Sequence, residues 1–315
     1  MTTIGVDIGG SSMKAALTEP GGAVLAKTRR PTLADNSRDA TIEQLHSCIE
    51  ELTAKAANSG RAVDGIGIGV PGTIDLERGI VYHPPNLPQW EKVPLADIMR
   101  SRWPVDVRID NDANCAALGE AHFGAGRDYD TFIGLTLGTG VGSGIILANR
   151  IYHGKRGFAG EFGHITIDYN GPRCNCGNLG CVEAYIGIRY MMRDAIPVLQ
   201  SEPSSLLHQR AKKNPEGLSP EDLSHAAAEG DEVSADILRT AGDRLGVAIA
   251  STANLLDITT FIIGGGISAA GDVLFDGIRG SATSRALRVH RDRLTILPAS
   301  LGNDAGMLGA ASLLV

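Results

Sequence analysis

Short apolar runs, each closed by glycines or a proline, set the rhythm of the first third of the chain. Residues 3–7, 13–18 and 23–29 read as strands, the last two parted by a turn at Pro20, Gly21 and Gly22, and three strands in succession predict an antiparallel meander. Apolar positions then recur at helical spacing over residues 40–57. Residues 63–70 follow as a buried strand stopped by Pro71 and Gly72, 95–103 as a helix after Pro94, and 105–109 as a further strand. The order is βββαβα followed by β. It then starts again: residues 132–137 and 141–147 predict a hairpin about Gly138, Thr139 and Gly140, and 151–153 the start of a third strand. Helical patterns cover 182–199, 220–229 and 232–254, a buried strand at 260–263 ends in three glycines, and polar residues 201–217 predict a surface loop. The pattern describes two copies of one α/β plan.

Composition narrows the setting. A chain of 315 residues with 43% hydrophobic and 21% charged residues has enough interior for two cores. Its net charge of −7 leaves no broad basic face for nucleic acid, so an anionic ligand must be met locally. The start MTTIGVDIGG lacks the basic region and apolar run of a signal peptide, and no segment is apolar enough to span a bilayer, so a cytoplasmic protein without membrane partners is expected. Forty glycines exceed the usual share of about 7% and cluster where apolar runs end.

Chemistry concentrates in a few of these places. His164, Cys174, Cys176 and Cys181 make a nitrogen and thiolate set that completes a tetrahedron around zinc and leaves no position for water, so the spacing predicts a closed, structural site. Glu161 and Glu183 flank it, and three clustered cysteines suit a reducing compartment. Cys48 and Cys115 read as plain buried thiols. The loop from Asp7 to Lys14, with Gly9, Gly10, Ser11 and Ser12, offers backbone and hydroxyl donors to a phosphate, or is simply a tight hairpin turn; the spacing excludes a P-loop. Gly138, Thr139 and Gly140 repeat the design in the second half, which predicts a two-loop clamp for a polyphosphate tail. Gly264, Gly265 and Gly266 suit the nucleoside end or an ordinary strand-to-helix turn. Asp110, Asn111, Asp112 and Asn114 end a strand and open a helix, where they either cap it or line a polar cleft with Asp112 as general base.

Taken together these motifs resemble the ROK group of bacterial sugar kinases and repressors, within the actin and hexokinase-like ATPase fold. DIGGSS is similar to the family's first phosphate loop and LTLGTGVGSG to its second. IGIGVPG and PPNLPQW resemble its sugar-side segments, NDAN its catalytic segment, GEFGH with CNCGNLGC its zinc signature, and GGGIS with LGNDAGMLGAA its adenosine side. The resemblance implies a two-lobed α/β fold of duplicated βββαβα domains with a zinc-binding loop at 164–181. One lobe is expected over 1–110 plus about 303–315, the other over 111–302. It implies that Asp112 takes a proton from a sugar hydroxyl attacking the γ-phosphate of ATP. Asn86, Asn111, Glu161, His164 and Glu183, with Asp112, would bind the sugar, and Asp7 would organise Mg²⁺ with ATP. The glycine loops, Lys14 among their residues, would hold the nucleotide.

Family members are commonly homodimers or homotetramers, and a homo-oligomer is expected. Glucose is the leading sugar, with N-acetylglucosamine, N-acetylmannosamine and fructose as alternatives. Family repressors carry an N-terminal helix-turn-helix, for which a first strand beginning at residue 3 leaves no room, so a kinase is expected. The serines of DIGGSS resemble polyphosphate-using relatives, but those lack the cysteine cluster and ATP is the expected donor.

Overall fold

The computed structural model describes residues 2–314. Its first half runs β1 (Thr3–Ile8), β2 (Ser12–Thr18), β3 (Val24–Pro31), α1 (Arg38–Asn58), β4 (Gly65–Val70), β5 (Thr73–Asp75), β6 (Ile80–Tyr82), β7 (Lys92–Val93), α2 (Leu95–Arg102), β8 (Asp106–Asn111) and α3 (Asp112–Phe123). It continues with β9 (Phe132–Leu137), β10 (Val141–Leu147), β11 (Arg150–Ile151), α4 (Glu183–Ile186), α5 (Ile188–Ser201), α6 (His208–Lys213), α7 (Pro220–Ala228) and α8 (Glu232–Leu256). The chain ends with β12 (Thr260–Gly264), α9 (Asp272–Arg285), α10 (Arg288–Arg291), β13 (Thr295–Pro298) and α11 (Ala305–Ser312).

Among the described residues, one five-stranded sheet has the order β3-β2-β1-β4-β8 and a second the order β11-β10-β9-β12-β13. Both place the third strand of their set at one edge and the first at the centre, so the duplicated plan is visible in the topology itself. β1 pairs antiparallel with β2 and parallel with β4, and β4 is parallel to β8. Parallel strands need covered faces. Accordingly β4 (GIGIGV) is buried at every position, and Ile4, Val6, Leu45, Ile49, Ile66 and Ile68 share the first core.

The compact units are Met1–Gly134 with Gly144–Gly160 and Ser300–Val315, and Leu135–Ser143 with Glu161–Ala299. Within the first unit, backbone approach ties α3 to α11 and the first sheet. A Cβ on Gly309 would lie 1.6 Å from the Cys115 carbonyl oxygen, and one on Gly67 1.7 Å from that of Ala310. Only glycine at these positions lets α11 reach both α3 and β4.

Other departures from the periodic reading have local causes. The small sheet β5-β6-β7 consists of strands of two or three residues amid prolines, too short to show a period. The helix expected over 182–199 breaks at Gly187, where a Cβ would lie 2.8 Å from the Thr139 carbonyl oxygen. The loop expected over 201–217 contains α6. No helix among the described residues is long and apolar enough to cross a membrane.

Candidate active site and metal centre

In the first unit the backbone leaves β8 at Asn111 in an extended conformation and enters α3 at Asp112. The Asn111 Oδ1 accepts the N–H groups of Ala113 (2.9 Å) and Asn114 (3.2 Å), capping orphan donors of the first turn. Its Nδ2 donates to the Gly72 carbonyl at 3.3 Å, so one amide hydrogen is left for a ligand. Capping thus falls mainly to Asn111. The half-buried Asp112 carboxylate accepts the Ala113 N–H at 2.9 Å on Oδ1, and two oxygens offer further acceptor sites for a hydroxyl. Burial and then the negative charge of Asp7 push the Asp112 carboxyl up to about 6, against the pull of the Ala113 N–H and the Asn111 side chain. A carboxylate poised there is ionised at neutral pH yet basic enough to accept a proton.

Asp7 stands near the end of β1 with its carboxyl against α11: a Cβ on Gly306 would lie 2.7 Å from its Cγ. Burial raises its pKa and the Lys14 ammonium lowers it, an incompletely neutralised acid of the kind a hard cation compensates. Lys14 Nζ donates to Asn303 Oδ1 at 3.0 Å, just before α11. The loop between β1 and β2 is a tight turn as well as a donor loop. Its Gly9 N–H bonds the Ser12 carbonyl at 3.1 Å, and Thr32 Oγ1 donates to the Gly9 carbonyl at 2.6 Å. Ser12 Oγ accepts from Arg29, while Ser11 is exposed. Gly10 packs on the exposed Asn86, where a Cβ would meet that of Asn86 at 3.1 Å. The first unit therefore gathers Asp7 and Asp112 electrostatically and Gly10 and Asn86 by contact.

In the second unit Glu183, the first residue of α4, joins the second glycine loop to the metal cluster. Its Oε2 accepts the Val141 N–H at 3.0 Å, and its Oε1 is 3.8 Å from Cys174 Sγ. A Cβ on Gly140 would lie 2.4 Å from that Oε2. The loop is also pinned by the Ile188 N–H on the Gly138 carbonyl at 3.0 Å, a bond that the break at Gly187 makes available. Thr139 is exposed at the tip.

The ligand atoms of His164, Cys174, Cys176 and Cys181 all lie within 4.8 Å of one another. Bond lengths near 2.3 Å for sulfur and 2.0–2.1 Å for nitrogen give tetrahedral edges of about 3.5–3.8 Å. The His164 Nδ1 to Cys174 Sγ distance is 3.8 Å and Cys176 Sγ to Cys181 Sγ is 3.6 Å, so the donor set fits zinc. Nδ1 faces the sulfurs, leaving Nε2 of His164 3.9 Å from Glu161 Oε2. The cradle is local: Gly177, at φ 96°, allows the turn that returns its N–H to the Cys174 carbonyl, and Asn175 N–H bonds Tyr190 Oη on α5 at 2.9 Å. Cys174 and Cys181 are buried with Ala184 and Tyr190. Burial and the neighbouring thiols push Cys181 up to about 12, so metal binding must release protons.

Gly264, Gly265 and Gly266 close β12. Gly265, at φ 92°, lies against the end of β9, where a Cβ would sit 2.2 Å from the Leu137 carbonyl oxygen, and exposed Gly266 opens a 3₁₀ turn with free space around it.

Two polar residues escaped the sequence reading. Glu120, buried on α3, accepts the N–H groups of Ala125 (2.8 Å), Ser300 (3.2 Å) and Leu301 (2.8 Å). A lone acid in the alanine-rich stretch DANCAALGEAHF was the available signal. His153 bonds Asp110 at 2.6 Å across 43 residues of sequence, and nothing in the local pattern marks that pairing.

Comparison with known proteins identifies the family. A profile of the family described as ROK matches residues 3–315. A glucokinase of Thermotoga maritima is 37% identical over 311 residues, covering 99% of this chain and 96% of that protein. A crystal structure of a ROK family glucokinase from Streptomyces griseus, in complex with glucose and AMPPNP, superposes with a TM-score of 0.85 at 35% identity, covering 99% of both chains. A xylose repressor of Bacillus subtilis is 31% identical, covering 99% of this chain and 77% of that protein. With a profile match over nearly its whole length, this chain, folded as a mixed α/β hexokinase-like protein, belongs to the ROK family.

Proposed function

We propose that the chain is an ATP-dependent sugar kinase that phosphorylates the 6-hydroxyl of a hexose, with glucose as its preferred substrate. One observation carries the reading: the NDAN segment of a ROK chain presents Asp112 at a helix start with its carboxyl at about 6, beside the charge of Asp7. Likeness to glucokinases over 99% of the chain supports glucose as the sugar.

As the sugar oxygen attacks the γ-phosphorus, Asp112 accepts the hydroxyl proton; the new O–P bond forms, the bond to the bridging oxygen breaks, and ADP leaves. Asn86, Asn111, Glu161, His164 and Glu183 orient the sugar hydroxyls, His164 through its Nε2 edge. Cys174 would hold zinc as a thiolate, a form that has no proton to donate to Glu183 Oε1. Gly9, Gly10, Ser11, Ser12 and Lys14, with Gly138, Thr139 and Gly140, hold the phosphates, and Gly264, Gly265 and Gly266 face the nucleoside. Bound with ATP, Mg²⁺ would neutralise phosphate charge, and Asp7 is the residue to hold it. His164, Cys174, Cys176 and Cys181 would fill all four positions of a zinc ion, which would then serve as a positioner, because a Lewis acid would need an open coordination position. The enzyme on this reading is cytoplasmic and homo-oligomeric.

ADP release with MgATP, measured across glucose, N-acetylglucosamine, N-acetylmannosamine, mannose and fructose, tests the proposal. Glucose is expected to give the highest kcat/KM, and polyphosphate is expected to replace ATP poorly. Preference for another sugar on the panel would reassign the substrate within the family. Sugar binding without any turnover would overturn the kinase reading in favour of a sensor.

A further inference from the structure

We propose that His153 is a positioning residue for phosphoryl transfer, acting through the buried carboxylate of Asp110 to hold the first turn of α3 and Asp112 within it. The proposal rests on the kinase reading above for its consequence, though not for its geometry.

Asp110 is only 3% exposed, and a carboxylate buried so far must be matched by donors. Three converge on it. The Asn111 N–H (2.7 Å) and Asn114 Nδ2 (2.8 Å) reach Oδ1, while His153 Nε2 lies 2.6 Å from Oδ2. Asn111 and Asn114 stand on either side of Asp112 in the chain, so the Oδ1 bonds belong to the catalytic segment itself. The Oδ2 bond comes from elsewhere: His153 follows β11 and roots a loop closed by the Ala159 N–H on its own carbonyl at 3.1 Å. Gly154 and Gly157, at φ 70° and 88°, shape that loop. Hydrogen bonding to Asp110 raises the His153 pKa above its ordinary value despite burial, the direction set by a carboxylate facing the ring.

A base must be held within a fraction of an ångström of its productive place, since a 1 Å misplacement costs about 10²-fold in rate. Without the imidazole, Oδ2 loses its donor and the carboxylate can turn toward solvent, taking with it the bonds to Asn111 and Asn114. A role confined to stability would lower the melting temperature without separating kcat from KM.

The test compares His153→Ala and His153→Gln in the full chain, because a glutamine Nε2 can still donate to Asp110. His153→Ala is expected to lower kcat roughly 10- to 100-fold with the KM for ATP changed less than about twofold, and His153→Gln to recover most of that loss. Amide exchange at Asn111 and Asn114 should accelerate in His153→Ala and stay near wild type in His153→Gln. Wild-type kcat in His153→Ala, or equal losses in both variants, overturns the proposal. Should the wild-type chain phosphorylate no sugar, the kinase reading falls by itself, and unchanged exchange in His153→Ala would then overturn the clamp on its own.

Discussion

On the proposed mechanism the negative charge on Asp112 is the residue-scale feature on which catalysis depends, and burial beside Asp7 disfavours that charge. Replacing it with asparagine keeps the shape and removes the base, so Asp112→Asn is expected to lower kcat by roughly 10²- to 10⁴-fold while calorimetry still detects glucose binding. The same variant should be more stable than the parent near neutral pH. The carboxyl pKa lies at about 6 in the fold against 3.8 ordinarily, so the folded state holds the proton more tightly than the unfolded one. The stability that this proton linkage supplies is complete below 3.8 and lost as pH rises through about 6. Melting curves should therefore show Asp112→Asn above wild type at pH 7.5, with the gap closing toward pH 4. A separate pH series on the wild-type enzyme should show kcat/KM for glucose rising through about 6 to a plateau as Asp112 ionises. A flat profile from pH 5 to 8 would count against Asp112 as the base.

At the scale of elements, two kinds of pattern were faithful guides. α1 and β8 have one wet and one dry face, β1 and β4 are short apolar runs closed by glycine or proline, and all four fall close to their expected bounds. α11 is buried along its entire length and apolar all round, so only the family resemblance marked it. The sheet β5-β6-β7 was illegible because its strands are held by pairing across prolines rather than by any repeat of their own. Close helix packing gives a prediction of opposite signs. Gly309→Ala must drive its methyl into the Cys115 carbonyl and is expected to lose at least about 2 kcal/mol in urea unfolding. Gly280→Ala, on α9 with no neighbour within 4 Å, should gain about 0.5–1 kcal/mol from helix propensity. Similar effects from the two substitutions would argue against backbone contact between α3 and α11.

Across the whole molecule, the candidate site was legible where its chemistry is written in neighbouring residues and obscure where it is assembled from distant ones. Cys174, Cys176 and Cys181 declare a metal centre by spacing, and the cluster geometry fits that expectation. His153 with Asp110, and Glu120 with Ser300 and Leu301, are pairings across long stretches of chain that no window of sequence displays. Metal content joins these scales. Cys176→Ser is expected to release zinc, read by elemental analysis, and to weaken glucose binding in the same preparation, because the loop carrying His164 and Glu183 loses its anchor. Zinc loss with unchanged sugar affinity would separate the metal from the sugar site.

The missing Cβ of Gly140 reaches further than the loop it shapes. The space it leaves is filled by the Glu183 carboxylate, which takes the adjacent Val141 N–H. The loop tip and the carboxylate therefore move together: an alanine at 140 would push Glu183 off the amide that it serves, and a shorter residue at 183 would leave that amide bare.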